Sequence, residues 1–450
     1  MWFSVVVAGN SGGQVTLMIE EFLVIWNWLE QQDLAKARSE LELLPEPADE
    51  QAIALRHLLQ AELQRREGNN SGADGQFRLA CLLITNPSWQ AMAFYRNGLN
   101  LRSMGKFVEA AEAFLDALEL EPGQAASIHA LHFTKLNTEN IKALLGRLSS
   151  VVKKARQFPL GLQLLADWEF QIGQKLQALE HSYYSAQLSV SAQQKQLLNW
   201  GAIPKLPEAL IIGAPKSGTT SFAAALTNHP QLWVHPRKEL HFFDGRWEWG
   251  QSWYRCQFPV FQAGAQIIRL EATPNYLQLP EAPERLHGLI PTARLVVVLR
   301  EPLDRAVSWY HHMTRQEGLR KPLAEVIETE LNGLLELSEQ ERCKLGWFGS
   351  NCLAGSLYVS QIKRWQRFFK PEQLLLLAFE DIVQNPLLAS QRVAIHIGVD
   401  PNLFTRKLAF LKLNAAPATY LALAPELAKR CREILLNADC SLWRSLIKRD

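Results

Sequence analysis

Apolar residues recur three and four positions apart through residues 19–192, with almost no alternation of apolar and polar positions, so this half is predicted to be helical throughout. Beyond residue 207 the pattern changes. Short apolar runs at 209–212, 232–234, 267–270, 295–299 and 374–378 alternate with helically spaced segments. Runs that are apolar at every position fit strands buried on both faces, and strands separated by helices fit a parallel sheet. The expected organisation is a helical unit at 18–192, a junction at 193–207 marked by Gly201, Pro204 and Pro207, and an α/β domain at 208–450. In a parallel sheet ligands sit at the carboxyl ends of the strands, and the chemistry is expected there.

Within the helical half, residues 91–122 carry Phe94, Gly98, Gly105, Ala110, Phe114, Ala117 and Pro122. This resembles the tetratricopeptide (TPR) pattern of small residues at helix crossings with a proline ending the second helix. Gly105 and Ala110 recur as Gly173 and Ala178, a shift of 68 residues and hence two periods of about 34. One helix pair cannot bury its own apolar face, so the resemblance implies an all-α, TPR-like solenoid with a concave face for a protein partner. Residues 33–45 read as the second helix of an earlier unit, and 60–87 as another with an insertion at 68–75.

Composition narrows the possibilities. The 450 residues are 48% hydrophobic and 20% charged, and the formal net charge is only +2, so no global field draws nucleic acid and any anion site must be local. Six cysteines without CxxC spacing are expected as reduced thiols. The apolar run at 2–8 lacks a basic flank and is too short to span a membrane. A cytoplasmic protein without a membrane span is therefore expected. Met18 opens a better helical pattern than Met1, which leaves the preceding residues as a tail or an over-extended start.

The most informative stretch is 210–222. An apolar strand runs into Gly213, a turn with Pro215 and Gly218 follows, and Thr219, Thr220 and Ser221 open an apolar helical segment. Such a loop aims backbone N–H groups and hydroxyls at one point, where the helix N-terminus favours an anion. Lys216 adds a full charge. The nucleotide-binding pattern GxxxxGK followed by Ser or Thr is not met, because Lys216 precedes Gly218.

Pro215-Lys216-Ser217-Gly218-Thr219-Thr220 resembles instead the first cofactor loop of the sulfotransferases that use 3′-phosphoadenylyl sulfate (PAPS). The segment Lys238-Glu239-Leu240-His241-Phe242-Phe243-Asp244 is similar to that of the heparan sulfate sulfotransferase branch. The resemblance implies a P-loop-like α/β fold over about 208–445 and PAPS as cosubstrate, without a metal. Lys216, Ser217, Gly218, Thr219, Thr220 and Ser221 would hold the donor, with Lys216 also stabilising the departing oxygen. Glu239 would be the general base, with Lys238 and Asp244 lining the acceptor side. Arg300, at the end of the 295–299 run, and Ser308, about two helical turns further on, match the residues that hold the 3′-phosphate. His312, one turn beyond Ser308, is a second candidate acid or base. Arg305 carries no assignment, and Trp365, Phe368 and Phe379 are expected in the core.

Two departures from the family pattern bear on the acceptor and on the phosphate cradle. Ala272, in Glu271-Ala272-Thr273-Pro274-Asn275-Tyr276, stands where the heparan sulfate enzymes have lysine, and 411–420 is nearly uncharged where they have a basic loop. The expected activity is transfer of a sulfuryl group to a hydroxyl or amine of a saccharide. The rival readings are a P-loop kinase-like phosphotransferase and a non-catalytic TPR scaffold; the position of Lys216 opposes the first, and the company of Lys216, Glu239, Arg300 and Ser308 opposes the second.

Overall fold

The computed structural model describes residues 13–31, 33–47, 49–155, 158–316, 319, 321–404 and 423–436. The chain forms two compact units, Met1–Ala178 and Leu179–Asp450. Met18 lies inside the first helix, Gly13–Glu30, whereas residues 1–12 and the segment 411–420 lie outside the described residues. No described helix is long and apolar enough to cross a membrane.

The described part of the first unit is built from helices, as its apolar spacing requires. Three turns in this unit close in the same way. Gly68, Gly105 and Gly173 adopt φ of 85°, 76° and 91°. After each, the next N–H reaches five residues back, from Asn69 to Gln64, Lys106 to Leu101 and Gln174 to Glu169, at 2.9–3.0 Å. Glycine takes the left-handed conformation without a Cβ penalty, so it recurs where a helix must stop within one residue.

The expected insertion at 68–75 is not one. Asn69 accepts from the Gly72 N–H at 3.0 Å and caps the helix Asn70–Leu83, so the glycines after it are helical. Between the helices Pro87–Ser103 and Phe107–Leu120, a Cβ on Gly98 would stand 2.5 Å from the Phe114 ring. Trp26, Phe77 and Trp89 anchor the core beneath the earlier helices.

The second unit holds a five-stranded parallel sheet of order β2-β3-β1-β4-β5. The strands are β1 (Ala209–Gly213), β2 (Leu232–Val234), β3 (Ile268–Ala272), β4 (Arg294–Leu299) and β5 (Leu374–Ala378). Each overlaps a predicted apolar run, and β1 is buried at all five positions. Helices cover the sheet; Phe222 and Leu226 of Thr219–Leu226, and Val393 and Ile397 of Pro386–Ile397, pack against Ile211, Leu270 and Val296. β1 lies between β3 and β4, so chain crossing from β3 to β4 leaves a crevice at the carboxyl end of β1.

The expected junction at 193–207 is fastened within this unit. Gln194 donates to the carbonyls of Pro230 and Leu232 at 3.1 and 2.8 Å, and Leu198 forms an antiparallel bridge with Phe261.

Candidate active site

Three neighbouring strands, β3, β1 and β4, end side by side at one edge of the sheet: the donor candidates follow β1 and β4, and the segment after β2 that carries Glu239 is bonded to the end of β3. At the end of β1 the chain must pass Leu277: a Cβ on Gly213 would lie 2.4 Å from the Leu277 Cβ, so glycine is required. Lys216 and Gly218 then turn the loop in left-handed conformations, φ 69° and 75°. Gly218 caps the helix Thr219–Leu226 with no side-chain hydrogen bond, and the first-turn N–H groups have no partner within the helix. Lys216, Gly218 and Thr220 are half-exposed, while Ser217, Thr219 and Ser221 are buried.

Arg300 follows β4 and reaches the loop, its Nη1 3.5 Å from the Lys216 carbonyl. Its guanidinium lies 5.2 Å from the centre of the Phe379 ring. Phe379 is half-buried, packed against the core of the sheet and also beside Arg300; Trp365 is fully buried and Phe368 half-buried. Ser308 is buried on the helix Pro302–Gln316, and the ring of His312, one turn on, stands 5.4 Å from that of Trp309.

At the end of β3 stands the second loop. The Glu239 N–H donates to the Ala272 carbonyl at 3.0 Å, and Glu239 and His241 both take positive φ, 73° and 55°. Non-glycine residues pay about 1–2 kcal/mol in that region, so neighbouring contacts must impose it. Lys238 Nζ donates to Glu239 Oε1 at 2.7 Å, and His241 Nε2 lies 3.5 Å from Glu239 Oε2. His241 Nδ1 is 2.7 Å from Asp244 Oδ2. Lys238, Glu239, His241 and Asp244 therefore form one alternating chain of charge.

Burial alone would raise the Glu239 pKa, but Lys238 and His241 outweigh it and hold the carboxyl well below its usual range. Burial likewise opposes charging of His241, yet its contacts with Asp244 and Glu239 raise it to about 9. Near neutral pH the imidazolium is charged and both nitrogens donate. The folded value exceeds the unfolded one, near 6.5, so this stabilisation is complete below about 6.5 and is lost as pH rises through about 9. Asp244→Asn should lower the His241 midpoint, as read by NMR titration of its ring; an unmoved midpoint would show that Asp244 does not support the charge.

Three residues in or beside the candidate site carried no role in the sequence reading. His241 sits inside a recognised segment, and the spacing Glu-x-His-x-x-Asp was the available signal. Glu271 of β3 is fully buried and accepts hydrogen bonds from Thr273, Tyr276 and Tyr254. Arg305 is also fully buried: Nε donates to Ser356 Oγ at 2.6 Å and Nη2 to the Asn351 carbonyl at 3.0 Å and the Cys352 carbonyl. Ser356 in turn donates to the Pro302 carbonyl at 2.8 Å, so Arg305 steadies the start of the helix that follows Arg300.

Residues 206–425 match the family described as "Sulfotransferase domain". A mouse (Mus musculus) bifunctional heparan sulfate N-deacetylase/N-sulfotransferase 3 is 31% identical over 207 residues, covering 44% of this chain and 23% of that protein. Mouse heparan sulfate glucosamine 3-O-sulfotransferase 6 is 31% identical over 196 residues, 43% of this chain and 53% of that protein. The chain thus spans about a quarter of the length of the first relative and about half of the second. The crystal structure of a sulfotransferase from Alicyclobacillus acidocaldarius aligns with a TM-score of 0.42 at 25% identity, over 55% of this chain and 97% of that one. From just before β1 to the start of the helix Pro425–Leu436, residues 206–425 belong to the sulfotransferase domain family.

Proposed function

We propose that the protein transfers the sulfuryl group of PAPS to a hydroxyl or amine of a saccharide. The observation that carries this reading is a cationic loop–helix turn, capped by glycine without a side-chain hydrogen bond, at the end of β1 next to a carboxylate-bearing loop at the end of β3. The first suits a phosphate ester and the second a proton. Two relatives named for heparan sulfate sulfotransfer support a saccharide acceptor.

The chemistry asks for position and charge rather than a covalent intermediate, by analogy with phosphoryl transfer. Lys216, the loop N–H groups and Arg300 hold the donor phosphates, with Ser308 beside the 3′-phosphate. Glu239 takes the acceptor proton. A carboxylate paired with Lys238 at 2.7 Å accepts a proton poorly, so that ion pair loosens as the proton arrives. Lys238 is then available to the sulfuryl oxygens, and His241, oriented by Asp244, retains the position of Glu239. His312, on the helix Pro302–Gln316, is the reserve acid or base. The helical unit, with its three matching glycine turns, is read as a TPR-like stack that presents a face to a partner.

Incubation of the purified protein with sulfur-labelled PAPS and desulfated heparin oligosaccharides tests the reading. Labelled saccharide supports it. Binding of ATP more tightly than of the desulfated donor, with phosphate transfer, would replace it by a phosphotransferase.

Arg300→Ala removes a charge-assisted contact of a kind worth about 1.5–3 kcal/mol. Affinity for the desulfated donor should fall roughly ten- to a hundredfold in calorimetry. Unchanged affinity would take Arg300 out of the donor site.

A further inference from the structure

We infer that Glu271 is a positioning residue for the reaction: through the hydroxyls of Thr273 and Tyr276, it fixes the backbone of the loop that carries Glu239, His241 and Asp244. This inference rests on the proposed sulfuryl transfer only for its kinetic readout.

Glu271 is fully buried on β3, and its carboxylate meets hydroxyls rather than a cation. Thr273 Oγ1 donates to Oε1 at 2.5 Å and Tyr276 Oη donates to Oε1 at 2.9 Å. Tyr254 Oη donates to Oε2. A hydroxyl has one proton, so each that gives it to Glu271 keeps only lone pairs for its other neighbour. Those neighbours are backbone donors of the acceptor loop. The Phe242 N–H donates to Tyr276 Oη at 2.9 Å, and the His241 N–H lies 3.4 Å from Thr273 Oγ1. The carboxylate therefore sets the polarity of both relays, and both end on the stretch where Glu239 and His241 hold left-handed backbone.

The same hydroxyls are anchored by packing, which makes the relay stiff. Tyr254 stacks on Phe242 with ring centres 4.3 Å apart and planes 6° from parallel. Tyr276 meets Phe243 edge to face at 5.3 Å. The helix Phe242–Gly245, which carries Asp244, thus sits on a platform whose hydroxyls lead to Glu271, while Arg285 Nη1 holds the Phe243 carbonyl independently at 2.9 Å. Burial pushes the Glu271 carboxyl above its usual range, and the three hydroxyls oppose that push.

The test compares Glu271→Gln with Glu271→Met. The glutamine oxygen still accepts from Thr273 and Tyr276, so turnover should stay within about threefold of wild type. Methionine fills the space and accepts nothing useful, so turnover should fall at least about thirtyfold with donor affinity unchanged. A further readout does not need turnover: the NMR midpoint of His241, which against burial Asp244 and Glu239 hold above the ordinary histidine value in the wild type, should fall in Glu271→Met and stay in Glu271→Gln. A well-folded Glu271→Met with wild-type turnover and an unmoved His241 midpoint overturns the inference. If Glu271→Met does not fold, the pair Tyr276→Phe and Thr273→Val decides, because each cuts one relay at its outer hydroxyl. Lower turnover and a lowered His241 midpoint in both support the inference, and wild-type values in both overturn it. Should the wild type transfer no sulfuryl group at all, the functional reading fails, while the His241 titration still decides the role of Glu271.

Discussion

Glu239→Gln is expected to lower turnover by about 10² to 10⁴ while leaving donor affinity intact. Glutamine keeps the size of the side chain and its reach toward Lys238 but cannot take the acceptor proton. The donor side should not notice, because Glu239 hangs from the end of β3 whereas the donor loop leaves β1. Stability should change little: the Glu239 side chain is 33% exposed, and partly exposed ion pairs contribute at most about 1 kcal/mol. One side effect is built in. His241 loses a supporting negative charge, so its midpoint should fall from about 9, and rates must be compared where it is protonated in both proteins. Single-turnover rates with a saccharide acceptor, together with calorimetry on the desulfated donor, make the comparison. Wild-type turnover would move the base elsewhere, with His312 first in line.

The parts that were legible in the sequence are those that hydrophobic pattern and local chemistry encode. A parallel strand covered on both faces must be apolar at every position, and the run at 209–212 became β1, buried throughout; the run at 374–378 became the edge strand β5 with the same bounds, although only its last two positions are buried. The loop at Lys216 and the carboxylate at Glu239 were legible through their neighbours in the chain.

What was missed depends on partners distant in sequence. Arg305 looks like a solvated charge on a helix, but Leu303, Ala306, Val307, Trp309 and Tyr310 around it are buried. Its acceptors lie at Asn351, Cys352 and Ser356, which no local pattern connects to it. Glu271 is likewise satisfied by Tyr254 from another segment. Left-handed backbone at Lys216, Glu239 and His241 leaves no mark either, since no glycine stands there. At 68–75 the error ran the other way: the glycines read as a loop, and the cap at Asn69 made them helix.

Lys216→Gly is expected to separate stability from activity. Lys216 holds φ 69°, a conformation that costs a residue with a side chain about 1–2 kcal/mol. Glycine removes that cost but gains freedom in the unfolded chain, which returns about 0.5–1 kcal/mol. The variant should therefore be no less stable than wild type, and up to about 1 kcal/mol more stable in urea denaturation. Its chemistry should suffer in the opposite direction. Removing one group that stabilises charge developing in the transition state typically costs about 10² to 10³ in turnover. Lys216→Ala should show the same kinetic loss without relief of the backbone, so the pair isolates strain from charge. Unchanged turnover in both variants would mean that Lys216 does not act on the departing oxygen, and lower stability for glycine than for alanine would mean that the loop does not impose the left-handed turn.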